Sequence, residues 1–430
     1  MIRRLKNFTS ASSLRRNLGM TLGRQLLAAF AHLLLVAMVA RELGPEGNGH
    51  YAMAILVPTL LASLLNLGVG PATVYYVSRG DFNIRQAMTG NMRLGLVVAI
   101  VGTGCMLPLL WGWGAEIFPS VPKNLLYLGL VGFPVTLLLA YLNTVMQGLE
   151  DFRAFNLTVL LPPYINLAGV FFALYILSYG VAGAVVAHIL GQAIGLLVVI
   201  YMLNKKRKNE PILDESKAGF GYTGRVLTYG WKAHLSNVTA FINYRADIFL
   251  VNFFLTPVAT GVYVIAVQIS EKLWMLSQAA STVLLPRLSA MHETPRARLA
   301  LTNKGFIVVS AITLVASICV AISLSWLINP IFGEEYEEVV PLLWWLLPGI
   351  IAGAGSRIFA NCIAAAGKPE WNMYSSFGMV AINVVGNIIL VPEYGIVGAA
   401  WATSLAYCFN TAVKAWQVRR LNSVSTELHN

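Results

Sequence analysis

The chain has 430 residues, of which 57% are hydrophobic and only 11% are charged. Soluble domains carry about 25% charged residues, so this composition excludes a soluble globular protein and indicates an all-α polytopic membrane protein. The formal net charge of +11 would suggest a nucleic-acid partner in a soluble protein, but the distribution of the charges over the loops explains it without nucleic acid.

Twelve stretches are long and apolar enough to cross a bilayer, which takes about 20 residues. In chain order they cover residues 18–40, 51–77, 87–112, 123–147, 155–178, 181–203, 229–255, 259–286, 305–329, 340–365, 372–391 and 396–417. Since the number of crossings is even, both termini are predicted to lie on the same side of the membrane.

The loops on the two sides of the membrane differ in their basic residues. One set holds Arg79, Arg85, Arg153, the run Lys205–Lys208, Lys217, Arg225, Arg296, Arg298, Lys304 and Lys368. The opposite loops hold only Arg41 and Lys123, next to eight glutamates. Because Lys and Arg are enriched in cytoplasmic loops, both termini are predicted to be cytoplasmic.

Three short motifs occur twice in the same order, at spacings of 212 to 219 residues. The pairs are residues 49–54 and 261–266, residues 179–184 and 394–399, and the segments that follow Gly148 and Gly367. Six crossings precede residue 204 and six follow it, so the two halves have the same orientation. Parallel repeats of this kind are typical of transporters, whose substrate site lies between the halves.

The repeats predict four parts of the chain. Residues 1–203 form an N-terminal six-helix bundle, and residues 204–228 form a cytoplasmic linker loop. Residues 229–418 form a C-terminal six-helix bundle, and residues 419–430 form a cytoplasmic tail.

Two further patterns concern helix shape and packing. The sequence Gly68-Val69-Gly70-Pro71 predicts a kink or an unwound turn in the second crossing, as a hinge, a break facing a ligand or a matter of shape alone. Small residues at every fourth position of the sixth crossing, from Gly183 to Gly195, predict close helix packing.

Seven of the charged residues inside the predicted crossings are candidates for a functional role. They are Arg24, Lys232, Arg245, Asp247, Glu271, Lys272 and Arg357. The seventh crossing, residues 229–255, is the most polar and cannot face lipid, because each charge at bilayer depth costs at least roughly 2.5–3.5 kcal/mol.

Two interpretations of these charges remain open. In the structural one, Arg245 pairs with Glu271 and Asp247 pairs with Lys272, while Arg24 extends to the interface. In the functional one, the excess of basic residues makes a positively charged, water-filled cavity that attracts a phosphate or a diphosphate.

Several motifs resemble those of the bacterial polysaccharide transporter family, the lipid-linked oligosaccharide flippases. Residues 41–51 (RELGPEGNGHY) resemble the first-loop signature of that family. Residues 245–247, 261–263 and 285–289 resemble the matching signature of the second half, and residues 391–400 resemble the closing motif.

This resemblance implies the multidrug/oligosaccharidyl-lipid/polysaccharide exporter fold, in which two six-helix bundles form a V around a central cavity. It implies export of an undecaprenyl-diphosphate-linked oligosaccharide across the bacterial cytoplasmic membrane by alternating access. Its implied partners are that lipid-linked glycan, membrane lipid, a polysaccharide polymerase and chain-length machinery. Crossings one, two, seven and eight line the cavity, which makes Arg24, Lys232, Arg245, Asp247, Glu271 and Lys272 the candidate substrate-binding residues, whereas Arg357 lies elsewhere.

Three other functions are considered. A drug/cation antiporter of the same fold needs a membrane carboxylate for its coupling cation, and the first-half crossings offer none. A lipid II flippase of the same superfamily usually has extra helices. A membrane glycan polymerase or transferase would need a longer catalytic loop than residues 334–338 provide. The chain is therefore predicted to be a transporter and not an enzyme, without a cofactor or a metal.

Overall fold

The computed structural model describes residues 11–208, 219–291 and 294–427, and the regular structure in these ranges is helical throughout. The helices are α1 (Ala11–Leu64), α2 (Val69–Ser78), α3 (Ile84–Ile117), α4 (Lys123–Gly148), α5 (Phe152–Phe171), α6 (Gly180–Arg207), α7 (Gly219–Phe254), α8 (Pro257–Ala290), α9 (Pro295–Phe332), α10 (Val339–Ala365) and α11 (Pro369–Glu427). A π-helical turn, Phe172–Ile176, follows α5, and a 3-10 turn, Glu334–Tyr336, precedes α10.

Two of the helices contain a glycine with non-helical backbone. These are Gly44 in α1, with φ of 66°, and Gly395 in α11, with φ of 60°. When α1 and α11 are divided there, and α2 is joined to the preceding stretch, the described residues supply twelve helical stretches in the predicted order.

Most of these helices have the length and composition of membrane crossings. Within the described residues the stretches that qualify are Leu26–Leu64, Ile84–Ile117, Lys123–Gly148, Phe152–Ile176, Gly180–Arg207, Arg296–Phe332, Glu334–Ala365 and Pro369–Leu421. Large apolar side chains such as Trp111 and Trp326, 78% and 81% exposed, lie on their surfaces, as expected of a lipid-facing protein. The helices α7 and α8 are not among these stretches. They carry charged residues, including Arg245 and Asp247 on α7 and Glu271 and Lys272 on α8, which lower their mean hydropathy.

The described chain divides into two compact units. Unit 1 contains the chain up to Leu43 and His50–Val238, and unit 2 contains Gly44–Gly49 and the chain from Thr239. The change from unit 1 to unit 2 thus falls within α7, after the predicted linker. The described residues of that linker, 204–208 and 219–228, are largely helical and do not form a loop. The two predicted six-helix halves remain a prediction from the repeats.

In unit 1, small residues allow helices α5 and α6 to pack closely. A Cβ atom on Gly191 would lie 2.8 Å from the carbonyl oxygen of Pro162, and one on Gly195 would lie 2.6 Å from the Pro162 ring. These distances leave no room for a larger side chain. The small-residue pattern of the sixth crossing therefore has the packing role that the sequence predicts.

The second crossing is broken, as the Gly68–Pro71 sequence predicts. Helix α1 ends at Leu64 and α2 begins at Val69, while Leu67 and Gly68 have positive φ angles of 53° and 68°. The backbone of Gly230 in α7 lies directly against this break, since a Cβ on Gly68 would be 1.9 Å from its carbonyl oxygen. Only glycine permits both the backbone conformation and this approach.

In unit 2, the first-loop motif and its repeat contact each other reciprocally. A Cβ on Gly49 would lie 2.0 Å from the carbonyl oxygen of Pro257, and one on Gly261 would lie 1.9 Å from that of Pro45. Each glycine therefore contacts the proline four residues before its counterpart in the other repeat. Asn48 secures the contact by donating a hydrogen bond of 3.0 Å to the carbonyl of Gly261.

Candidate functional site

The site is built on α7 and α8, which are joined by a tight turn. The Oγ1 of Thr256 accepts a hydrogen bond from the backbone N–H of Ala259, and Pro257 occupies the first helical position of α8. This start reverses the chain within a few residues of the end of α7, so residues at similar distances from the turn face each other. Arg245 and Glu271 are placed opposite one another in this way.

Arg245 and Glu271 form an ion pair within unit 2. The distance from Nη1 of Arg245 to Oε1 of Glu271 is 3.0 Å. The Arg245 side chain is 34% exposed and the Glu271 side chain is 21% exposed, so neither group is sealed inside the protein. The structure therefore contains the Arg245–Glu271 pair of the structural interpretation.

An aromatic row holds α7 in position beside this pair. Tyr244, whose carbonyl accepts a second hydrogen bond from Arg245, lies 5.6 Å from the Trp274 ring, which in turn lies 4.9 Å from Tyr407. The Nε1 of Trp274 donates to the carbonyl of Ile350 at 3.1 Å. The row thus connects α7, α8, α10 and α11 and limits the movement of the Arg245 backbone.

The side chain of Asp247 points in a different direction from that of Arg245, because residues two apart on a helix do not share a face. Its carboxylate is 3% exposed and accepts from the hydroxyl of Tyr263 at 2.8 Å and that of Thr403 at 3.4 Å. Its other oxygen accepts from the backbone N–H of Ile248 at 2.8 Å. The Nδ2 of Asn383 donates to Thr403 at 3.2 Å and extends the network.

The donors to Asp247 are thus all neutral. They satisfy both carboxylate oxygens without a direct ion pair, and Arg245 is a cation whose charge acts on Asp247. Unit 2 therefore combines an arginine that is paired with Glu271 and a carboxylate whose direct donors are neutral.

The other predicted site residues contribute less to this arrangement. Lys272 is half-buried and does not pair with Asp247, so this part of the structural interpretation is not realised. Arg24 and Lys232 lie on α1 and α7 in unit 1, and their side chains are outside the described residues. Arg357 is half-buried on α10, away from the α7–α8 pair.

Sequence reasoning missed the neutral members of the network, which are Tyr263, Thr403, Asn383, Asn243 and Tyr407. Asn243 is 3% exposed and donates to the hydroxyl of Tyr407 at 2.9 Å. Tyr263 lies in the repeated motif 261–266, which could have marked it. Asn243 lies in the most polar crossing, but it carries no charge. Thr403, Asn383 and Tyr407 are uncharged residues in more apolar crossings, so their signal in the sequence is weaker.

Two relatives with assigned transport roles resemble the chain over different lengths. It is 21% identical over 399 residues to a putative O-antigen transporter of Shigella flexneri, covering 90% of this chain and 94% of the relative. It is 23% identical over 203 residues to a probable low-salt glycan biosynthesis flippase, Agl15, of Haloferax volcanii. That match covers 46% of this chain and 43% of the relative.

Solved transporter structures share the fold. A lipid II flippase, MurJ, in an inward closed conformation superposes with a TM-score of 0.72 at 15% identity, covering 92% of this chain and 86% of that one. An inward-facing transporter of the MATE family, within the MOP superfamily, also gives a TM-score of 0.72, at 14% identity, covering 93% and 96%. At this identity the likeness establishes the fold and not the substrate.

The profile of a protein family described as "Polysaccharide biosynthesis protein" matches residues 38–341, which is more than half of the chain. The named relatives and structural neighbours are transporters and flippases, and they are not enzymes. The chain therefore belongs to the polysaccharide biosynthesis protein family and is a multi-pass membrane transporter with the fold of the MOP superfamily.

Proposed function

We propose that this transporter moves an oligosaccharide linked to a polyprenyl diphosphate, undecaprenyl diphosphate in a bacterium, from the cytoplasmic to the outer leaflet by alternating access. The observation that carries the proposal is the partly exposed Arg245–Glu271 pair inside the membrane. A diphosphate offers an arginine more charge and more acceptor oxygens than a single carboxylate does. The arriving substrate therefore displaces Glu271 from Arg245.

The family membership supports a glycan-linked substrate. The relatives with assigned roles are described as an O-antigen transporter and a glycan biosynthesis flippase. A drug/cation antiporter and a lipid II flippase share the fold, but neither is favoured by an observation on this chain. Lys272 on α8 adds positive charge next to Glu271, and Arg24 and Lys232 remain proposed members of the substrate site.

The proposed location is the cytoplasmic membrane, with both termini on the cytoplasmic side. The excess of Lys and Arg in one set of loops supports this orientation. A cysteine introduced at Asn124 or Glu337 should react with an impermeant reagent in intact cells, while one in Lys205–Lys208 should not. Reaction of the basic run from outside would contradict the orientation.

The test of the substrate role is a double-variant cycle at the ion pair. Removing one partner leaves a charge uncompensated, which costs about 3–5 kcal/mol when the pair is buried and less at this partial exposure. Arg245→Gln and Glu271→Gln should therefore each lower the amount of folded protein, and the double variant should restore it. Because Arg245 also binds the diphosphate, the double variant should still fail to display glycan at the cell surface.

Two further variants help to interpret the result. Arg245→Lys keeps the charge but loses the planar donor arrangement, so it should retain partial export. The Arg79–Asp81 pair, at 3.5 Å on an exposed loop, serves as the matched control. The double variant Arg79→Gln/Asp81→Asn should export normally. Parental export by the Arg245→Gln/Glu271→Gln variant would show that the intramembrane pair is structural only.

A further inference from the structure

Unit 2 contains a second pair of basic residues that the proposed substrate site does not use. Lys414, on α11, is only 7% exposed, and Arg357, on α10, is half-buried. Within the described chain neither side chain makes a hydrogen bond or an ion pair. One largely buried cation and one half-buried cation thus lack a paired anion among the described residues.

The packing of α10 against α11 places these two residues at the same level. Ser404 donates to the carbonyl of Trp345 at 2.6 Å, and Thr411 donates to that of Ala352 at 2.8 Å, both at a separation of 59 residues. Such a constant separation means that α10 and the second part of α11 run parallel.

One turn further along α10, Ser356 accepts a hydrogen bond of 3.3 Å from Asn410 of α11, at a separation of 54 residues. Lys414 and Arg357, 57 residues apart, therefore lie side by side. Their positive charges are close enough to repel each other.

The surroundings of the two cations are polar but neutral. Ser356, Asn410 and Gln417 are 2%, 5% and 5% exposed, and Gln417 donates to the carbonyl of Trp371 at 3.1 Å. The side-chain oxygens of Asn410 and Gln417 have no hydrogen-bond partner among the described residues, so they are free to accept from an ammonium but cannot cancel its charge. Glu370, which precedes Trp371, is exposed and pairs with neither cation.

We propose that Arg357 and Lys414 bind a lipid-borne phosphate group, at a site distinct from the Arg245–Glu271 pair. An enclosed cation without a counter-charge is costly, and a phosphate removes that cost for both residues. The guanidinium supplies paired donors, the ammonium supplies a compact charge, and the phosphate supplies oxygens for both. Both residues lie in the predicted cytoplasmic halves of the tenth and twelfth crossings.

The carrier of this phosphate is either a resident anionic phospholipid or the polyprenyl diphosphate of the transported substrate. Only the second alternative rests on the proposed function. The same chemistry serves both, so the experiment includes a ligand for each source.

Purified full-length protein in detergent is titrated with short-chain phosphatidylglycerol, with farnesyl diphosphate, with zwitterionic phosphatidylcholine and with inorganic phosphate, and bound lipid is counted by native mass spectrometry. Wild-type protein should bind at least one of the first two lipids more tightly than the last two ligands. Arg357→Gln and Lys414→Met should each weaken that binding about tenfold, as loss of one charge-assisted contact implies. Tighter binding of phosphatidylglycerol identifies a resident lipid, and tighter binding of farnesyl diphosphate identifies the substrate.

The variant Arg245→Gln separates this proposal from the proposed function, because it should lose export yet bind the phosphate lipid here with wild-type affinity. Lys414→Met removes an enclosed charge and should not impair folding, and Lys414→Arg should retain binding. If one of the variants Arg357→Gln and Lys414→Met cannot be purified, the other one still decides the matter. Absence of binding by either phosphate lipid, equal binding of inorganic phosphate, or unchanged affinity in Arg357→Gln or Lys414→Met would overturn the proposal.

Discussion

Each unit contains a buried cluster in which the hydroxyls of a tyrosine and a threonine donate to one side-chain oxygen. The two clusters differ in the residue that supplies this oxygen. In unit 1, Oδ1 of Asn91 accepts from the hydroxyl of Tyr222 at 2.9 Å and from that of Thr73 at 3.3 Å. In unit 2, Oδ2 of Asp247 accepts from the hydroxyl of Tyr263 at 2.8 Å and that of Thr403 at 3.4 Å. Both clusters thus contain a tyrosine and a threonine as donors. The acceptor is the amide of Asn91 in unit 1 and the carboxylate of Asp247 in unit 2.

We expect this difference to separate a structural cluster from a functional one. The Nδ2 of Asn91 donates to the carbonyl of Tyr141 at 3.0 Å, so the amide of unit 1 is satisfied on both sides without any charge. The hydroxyl of Tyr141 in turn donates to the carbonyl of Asn66 at 3.0 Å and ties the cluster to the broken second crossing. In unit 2 the direct donors to Asp247 are neutral, and the charge of Arg245 acts on the carboxylate without a direct ion pair. We therefore expect the first cluster only to fix helices and the second cluster to respond to an ion as well.

The strongest test of this comparison exchanges the two residues. Asp247→Asn should fold, since its amide can donate to the hydroxyl of Tyr263, but export should fall at least about tenfold because the charge is gone. Asn91→Asp should place a carboxylate against the carbonyl of Tyr141, at a cost of about 3–5 kcal/mol for an unpaired buried charge. Its export should fall only in proportion to the amount of folded protein. Quantitative immunoblotting together with surface-glycan staining measures both quantities.

The two tyrosines supply the matched controls for this exchange. Tyr222→Phe and Tyr263→Phe each remove one hydroxyl from a buried cluster and should cost about 1 kcal/mol of stability. Tyr222→Phe should export normally per folded molecule. If Asp247→Asn also exports normally, the carboxylate has no transport role and the two clusters do not differ in kind.

The comparison also shows what the sequence could and could not predict. The crossings, the break before α2 and the Arg245–Glu271 pair follow from apolar runs, from Gly68 and Pro71, and from charges at similar depth around a tight turn. These signals are local or periodic, so one sequence is sufficient to read them.

The partners of Asp247 could not be predicted, because they depend on the packing of distant helices. Lys272, the nearest cation on the next helix, was the reasonable choice from sequence, yet Tyr263 and Thr403 are the donors. Thr403 is 156 residues away and reaches Asp247 only because α11 packs beside α7. The burial of Lys414 could not be predicted for a related reason. A lysine near the end of a crossing is expected to be exposed, but the packing of the helices leaves this one only 7% exposed.

The smallest expected effect concerns a charge pair of unit 1 that lies outside the membrane. Asp151 begins α5 by accepting from the backbone N–H of Ala154 at 3.0 Å, and it also pairs with Lys206 at the end of α6. Burial raises the pKa of Asp151, but the hydrogen bond from Lys206, the one from Ala154 and the charge of Lys206 together hold this pKa below its ordinary value. Both side chains are about a third exposed, so the pair contributes no more than about 0–1 kcal/mol.

Because the pKa of Asp151 is lower in the folded than in the unfolded protein, its contribution to stability is fully present above the unfolded pKa near 4 and is lost as the pH falls through the folded pKa. Asp151→Asn keeps an acceptor for Ala154 and removes the charge, so it isolates the ion pair from the helix cap. The melting temperature of this variant should be slightly lower than that of the parent at pH 7, and the difference should disappear as the pH falls through the folded pKa of Asp151 and shrink in high salt. Export should not change. A difference that stays constant with pH would assign the effect to the cap, and a loss of export would mean that unit 1, too, carries a charge on which transport depends.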